Sequence, residues 1–230
     1  MDNKKFLKYC IDHLELDEAD QFEEYFSAVP LCAINAIFSI NTKYEAVLNA
    51  LNRFCKHFNL KLAHPTSGQI PPLKGQKKVS DIYNLIKDID PETLAADIFQ
   101  NRQRTSTTSG ILKAEASIKF LKILKDFGVE TYQDIFKIVG NDTFEECIKN
   151  ISGQNSGTSL KYFFMLTGSK DQIKPDRMIL GFIKDAIGLT VKPNEALTII
   201  RQTVEDLKKK GYEHLSARHL DNLIWNYQRS

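Results

Sequence analysis

Residues 151–176, ISGQNSGTSLKYFFMLTGSKDQIKPD, decide how the rest of the chain is read. Upstream, the spacing of Phe144 and Ile148 predicts a helix over 142–150. It runs into a turn rich in Gly and Asn, and a second helix begins at once at Ser156-Gly157-Thr158. Pro175-Asp176 then opens a third helix, with Asp at the favoured capping position. The turn Gly153, Gln154, Asn155, Ser156, Gly157, Thr158 exposes several backbone N–H groups at a helix start. Such a nest suits one oxygen of a phosphate.

Working outward, the chain reads as helical throughout. Apolar residues recur at helical spacing over Phe6–Leu16, Phe22–Val29, Leu31–Ile40, Tyr44–Phe58, Val79–Ile86 and Ile111–Phe127. The pattern continues over Tyr132–Val139, Leu160–Leu166, Met178–Ile187, Ala196–Leu207 and Leu220–Tyr227. Start signals stand at Asp90-Pro91-Glu92, Lys192-Pro193 and Ser216, and Gly128, Gly188 and Gly211 fall just past helical runs. No alternating strand of useful length and no repeat is apparent. The expected fold class is all-α, with about ten to twelve helices.

Composition bounds the function without choosing it. The 230 residues are 42% hydrophobic and 26% charged, ordinary for a soluble globular protein. The net charge of +2 means that nucleic-acid binding needs a local basic surface. Cys10, Cys32, Cys55 and Cys147 are dispersed without zinc-ligand spacing, and no histidine pairs with Cys or carboxylates, so no transition-metal site is expected. Reduced core thiols, with neither a signal peptide nor a membrane-length apolar run, make the expected location cytoplasmic.

Two irregular stretches interrupt the helices. Residues 61–78, KLAHPTSGQIPPLKGQKK, hold three prolines and end in Lys74, Lys77 and Lys78; they read as a loop, solvated or facing an anionic partner. Residues 101–109, NRQRTSTTS, place Arg102 and Arg104 among hydroxyls, which suits phosphate contacts and equally suits a helix cap.

The order helix, hairpin, helix, Pro-Asp resembles the helix-hairpin-helix (HhH-GPD) DNA glycosylase superfamily, over about residues 30–190, with the hairpin-to-Asp unit at 142–188. The resemblance implies a single unit over 1–230 of two packed lobes with a cleft between them, segments 1–29 and 191–230 completing one lobe. In such enzymes the hairpin grips the DNA backbone and the Asp drives removal of a flipped-out base. It therefore casts Asp176 as the catalytic carboxylate, opposing the positive charge that grows on the sugar and orienting a water. By the same likeness Ser39-Ile40-Asn41-Thr42 is the turn that enters the gap left by the base, with Asn41 as its wedge. The plain alternative is a helix–helix turn with Asn in the left-handed region. Tyr44 and Trp225 are the aromatic candidates for a base pocket, and Lys161, Lys74, Lys77, Lys78, Arg102 and Arg104 for phosphate contacts.

The departures from the family pattern are specific. Asn155 stands where the hairpin usually has Gly, and Asn tolerates a left-handed backbone. Gly157 stands where lyase-competent members carry the lysine that attacks the sugar. The resemblance thus implies a monofunctional glycosylase using water. Its substrate would be duplex DNA with a damaged, mismatched or modified base, hypermodified bases included. No cofactor is required, the tight cysteine cluster of iron–sulfur members is missing, and a monovalent cation on the hairpin backbone is the one ion implied. A monomer is expected, associated with the nucleoid if the source is bacterial. The competing expectations are a non-catalytic DNA-binding module with the same hairpin, and a helical interaction or defence protein.

Overall fold

The computed structural model describes residues 3–17, 24–67, 70–169 and 173–229. They are mostly helical, with one two-stranded sheet, and the chain divides into two compact units: residues 1–23 with 168–230, and residues 24–167.

The first unit joins the chain's two ends. It contains α1 (Asn3–His13), α9 (Arg177–Ile187), α10 (Pro193–Lys208) and α11 (Ala217–Tyr227). Their apolar faces meet around Phe6, Cys10, Phe182, Ile200, Leu207 and Leu220, all fully buried. Phe182 is the hub, meeting Phe6, Tyr9 and Tyr227 edge-on with ring centroids 5.9, 5.1 and 5.5 Å away. Sequence boundaries hold within a few residues here. Ser216 Oγ accepts from His219 N at 3.1 Å, and Gly188 ends α9 in the left-handed region at φ 75°.

The second unit is built on α2 (Val29–Phe38), every residue of which is buried. A helix apolar on all sides belongs at a centre. It packs against α3 (Tyr44–His57), α4 (Val79–Ile86), α6 (Lys113–Asp126) and α8 (Thr158–Leu166). A short α5 (Pro91–Thr93), capped by Asp90, runs into a π-helical turn at Leu94–Ile98, and α7 (Asp142–Lys149) precedes α8. The expected helix over Tyr132–Val139 is a tighter 3-10 segment, Tyr132–Lys137.

Two expectations fail in this unit. Of the helix expected over Phe22–Val29, residues 22 and 23 lie outside the described residues. Glu24–Phe26 is instead strand β1, paired antiparallel with β2 (Ala63–Ser67) in the stretch read as strand-free loop. Tertiary contacts override the helical spacing. Ser27 N donates to Leu62 O at 2.9 Å on one side, and Tyr132 Oη donates to Phe26 O at 2.9 Å on the other. The ribbon tolerates Pro65 because a strand with only one neighbour needs hydrogen bonds along one edge alone.

Cys10, Cys32 and Cys55 are buried thiols and Cys147 is half-buried. Burial pushes Cys32 up to about 12 and Cys55 up to about 11, so both stay protonated near neutrality.

Candidate functional site

The turn between α7 and α8 is fixed by its two glycines. Gly153 and Gly157 have φ of 84° and 67°, where a side chain is disfavoured. Gln154 N donates to Ile151 O and Gly157 N to Gln154 O, both at 2.9 Å. Gln154 is buried and its amide oxygen accepts from Ser159 Oγ, so its side chain is held inside the turn. Asn155 and Ser156 are exposed at the tip, and their N–H groups have no hydrogen-bond partner among the described residues. The expectation that Asn155 fills a left-handed position fails: its φ is not positive, because Gly153 and Gly157 make both reversals. Thr158 opens α8, with its N–H on Ser156 Oγ at 3.3 Å, and Lys161 lies half-buried one turn on.

Gly153 has a second reason to lack a side chain. A Cβ there would lie 2.4 Å from Thr105 Oγ1. Thr105 Oγ1 donates to Ser152 O at 2.7 Å, and Ser152 Oγ donates to Ser109 O at 2.6 Å. The loop carrying Arg102 and Arg104 is therefore stitched to the hairpin, which sequence spacing gave no means to see. Its arginines are engaged: Arg102 Nε lies 2.6 Å from Glu92 Oε1, and Arg104 Nη1 donates to Gly110 O at 2.8 Å. Lys74, Lys77 and Lys78 are exposed ahead of α4.

The α2–α3 turn holds Asn41 exposed and left-handed, at φ 49°. Tyr44 follows in the first turn of α3, 40% exposed. The same unit thus contains the hairpin, the two basic stretches, Asn41 and Tyr44, while Asp176 and Trp225 belong to the other.

Asp176 caps α9. Its Oδ1 accepts from Met178 N at 2.9 Å and Ile179 N at 3.4 Å, which leaves Oδ2 turned toward Lys174 Nζ at 4.0 Å. The backbone doubles back over Pro175, with Asp176 N donating to Lys174 O at 2.6 Å, so the two side chains lie together. Lys174 N in turn donates to Asp221 Oδ1 at 3.1 Å. Trp225, also on α11, is half-buried, with the Arg229 guanidinium 4.3 Å above its ring.

The family model for a domain of unknown function, DUF8548, matches residues 4–229. The chain belongs to that family. No curated protein and no solved structure matches it.

In this DUF8548 chain, Lys174 and Asp221 are the polar neighbours of Asp176 that residue-by-residue reading passed over. One signal was present: Asp221 sits on the apolar stripe of α11 with Ala217, Leu220 and Ile224, a position seldom given to a carboxylate. Burial, then the nearby Asp176 charge, pushes the Asp221 carboxyl well above the ordinary range, against the pull of Lys174. Burial also lowers the Lys174 ammonium, with both aspartates opposing. A raised carboxyl contributes its stability while protonated, fully below the ordinary carboxylate value, and loses it as pH rises through the raised one. Asp221→Asn imitates the protonated form. Its stability relative to the parent should climb as pH rises above the ordinary carboxylate range. Parallel curves of melting temperature against pH for the two proteins would refute this.

Among the described residues no group of His, Cys, Asp and Glu could hold a metal ion, and no helix is long and apolar enough to cross a membrane.

Proposed function

We propose that the protein is a monofunctional DNA glycosylase of the helix-hairpin-helix type. It hydrolyses the N-glycosidic bond of a damaged, mismatched or modified base flipped out of duplex DNA. The observation that carries this reading is the run from the hairpin to Asp176. Exposed N–H groups at Asn155 and Ser156 stand ahead of α8, and the next helix starts on a carboxylate with one oxygen capping the helix and the other facing Lys174. The hairpin N–H groups would take a backbone phosphate. Oδ2 of Asp176 would face the sugar as its positive charge develops and would orient the attacking water. Asn41, already exposed on a left-handed turn, would fill the gap left by the base.

On this reading the enzyme works in the cytoplasm as a monomer, on duplex DNA, with no required cofactor. One observation favours the alternative of a non-catalytic DNA-binding module: Lys174 Nζ, 4.0 Å from Oδ2, already supplies Asp176 with a counter-charge. A panel of duplexes with modified bases, treated with heat or alkali to cut abasic sites, separates the two. Base release from any of them supports the enzyme; duplex binding without release supports the module; neither removes both.

Gly157 makes a narrower prediction. It lies in the left-handed region, and a Cβ there would already touch Lys149 Cε at 3.3 Å, so no amine is offered from this position. The product should be an intact abasic site, and borohydride should trap no covalent adduct. A trapped adduct that disappears in Lys161→Ala would show the lysine displaced by one helical turn.

A further inference from the structure

Lys113 is the first residue of α6 and is 1% exposed, an unusual place for a lysine. Its ammonium lies within hydrogen-bond distance of four acceptors that share its three N–H groups: Phe38 O at 3.0 Å, Ile40 O at 2.6 Å, Thr42 Oγ1 at 2.5 Å and Gln103 Oε1 at 2.9 Å. Three of these acceptors belong to the turn around Asn41, and two are carbonyls at the C-terminal end of α2, where a cation is favoured. Thr42 Oγ1, accepting from the ammonium, also lies 2.7 Å from Gln103 Oε1. From Gln103 the connection continues along the backbone. Lys113 N donates to Gln103 O and Thr105 N donates to Ile111 O, both at 2.9 Å. Thr105 then reaches the hairpin through Ser152 O.

We infer that Lys113 is a positioning residue for the Asn41 turn, and that residues 101–113 tie this turn to the hairpin so that both meet a duplex as one preorganised surface. The inference rests on the glycosylase reading for what the surface meets. The argument for the tie itself is local. A buried ammonium surrounded by acceptors from two segments holds both in register, and its removal takes the ammonium away from Phe38 O and Thr42 Oγ1 and leaves Ile40 O with the Thr42 hydroxyl alone. Among the described residues no backbone hydrogen bond links the turn to residues 101–113, so their register depends on side chains. The exposed side of the turn is Asn41 itself, free of this network, which is what a group that must enter a duplex requires.

The test combines a protein-only measurement with a DNA one. Lys113→Ala opens a cavity the size of n-propylammonium, and Gln103→Leu, at an exposed position, removes only the side-chain links to the ammonium and Thr42, leaving Lys113 on the turn carbonyls and its N–H on Gln103 O. Amide hydrogen exchange of residues 39–43 and 152–157 should accelerate about tenfold or more in Lys113→Ala and return toward the parent with n-propylammonium, not with n-propanol. The DNA probe is a duplex with 2-aminopurine beside a tetrahydrofuran abasic analogue. Both variants should keep duplex affinity within about threefold, since phosphate contacts supply most of it; Lys113→Ala should lose the fluorescence rise that reports unstacking and Gln103→Leu only part of it. Unchanged exchange at either segment would overturn the tie. Affinity and fluorescence falling together, or fluorescence retained, would reduce Lys113 to a folding residue. A parent protein that binds no duplex would instead remove the glycosylase reading, with the exchange result still deciding whether Lys113 joins turn and hairpin.

Discussion

Replacing Asp176 by Asn is expected to abolish base release while the protein folds and binds duplex DNA almost as before. An amide keeps the oxygen that accepts from Met178 N and Ile179 N, so the cap on α9 survives. What is lost is the negative charge, favourable at a partly buried helix N-terminus and toward Lys174 by about 1–2 kcal/mol. The effect on excision is far larger if the carboxylate opposes an oxocarbenium-like sugar. Loss of ~3 kcal/mol of transition-state stabilisation already lowers the rate more than a hundredfold. Asp176→Ala removes cap and charge together and should unfold at lower temperature, which separates the two roles. Excision by Asp176→Asn within tenfold of the parent, on any substrate the parent accepts, would leave Asp176 as a cap and nothing more.

The helices were legible in the sequence wherever one apolar face had to meet a core. In α3, Val47, Leu51 and Phe54 mark the buried side, and in α9 Ile179, Phe182 and Ile183 do the same. The strand at Glu24–Phe26 was not legible, because Phe22, Phe26 and Val29 also fit a helix and the partner strand lies far along the chain across a proline. At the candidate site, local chemistry was legible and long-range chemistry was not. Asp176 reads as a cap because its partners are the next residues. Asp221 arrives from the last helix, and Thr105 reaches Gly153 from a loop whose hydroxyls look like solvent-facing serines and threonines. The mistake at Asn155 has the same origin. Asn and Gly both permit the left-handed region, and only the full turn shows that Gly153 and Gly157 suffice to reverse it.

The hairpin, if it grips a phosphate, should fail when its tip is made acidic. Asn155 and Ser156 are exposed, and the pair of changes gives up only the long 3.3 Å bond from Thr158 N to Ser156 Oγ, so Asn155→Glu/Ser156→Glu should fold with a melting temperature within a few degrees of the parent's. Two carboxylates beside the N–H groups would repel a phosphate and cancel counterion release. Duplex affinity should fall about tenfold or more at low salt, by similar factors for every sequence, and the dependence on salt should flatten. Gly153→Val is the less informative substitution. Its Cβ would lie 2.4 Å from Thr105 Oγ1 at a backbone φ of 84°, so it should destabilise the fold by roughly 2–4 kcal/mol, and weak DNA binding would then report unfolding. The charge variant has no such ambiguity. If Asn155→Glu/Ser156→Glu binds duplex DNA as tightly as the parent, the hairpin is a turn between two helices. The DNA reading would then depend on Asp176, and a carboxylate capping a helix is too common to sustain it.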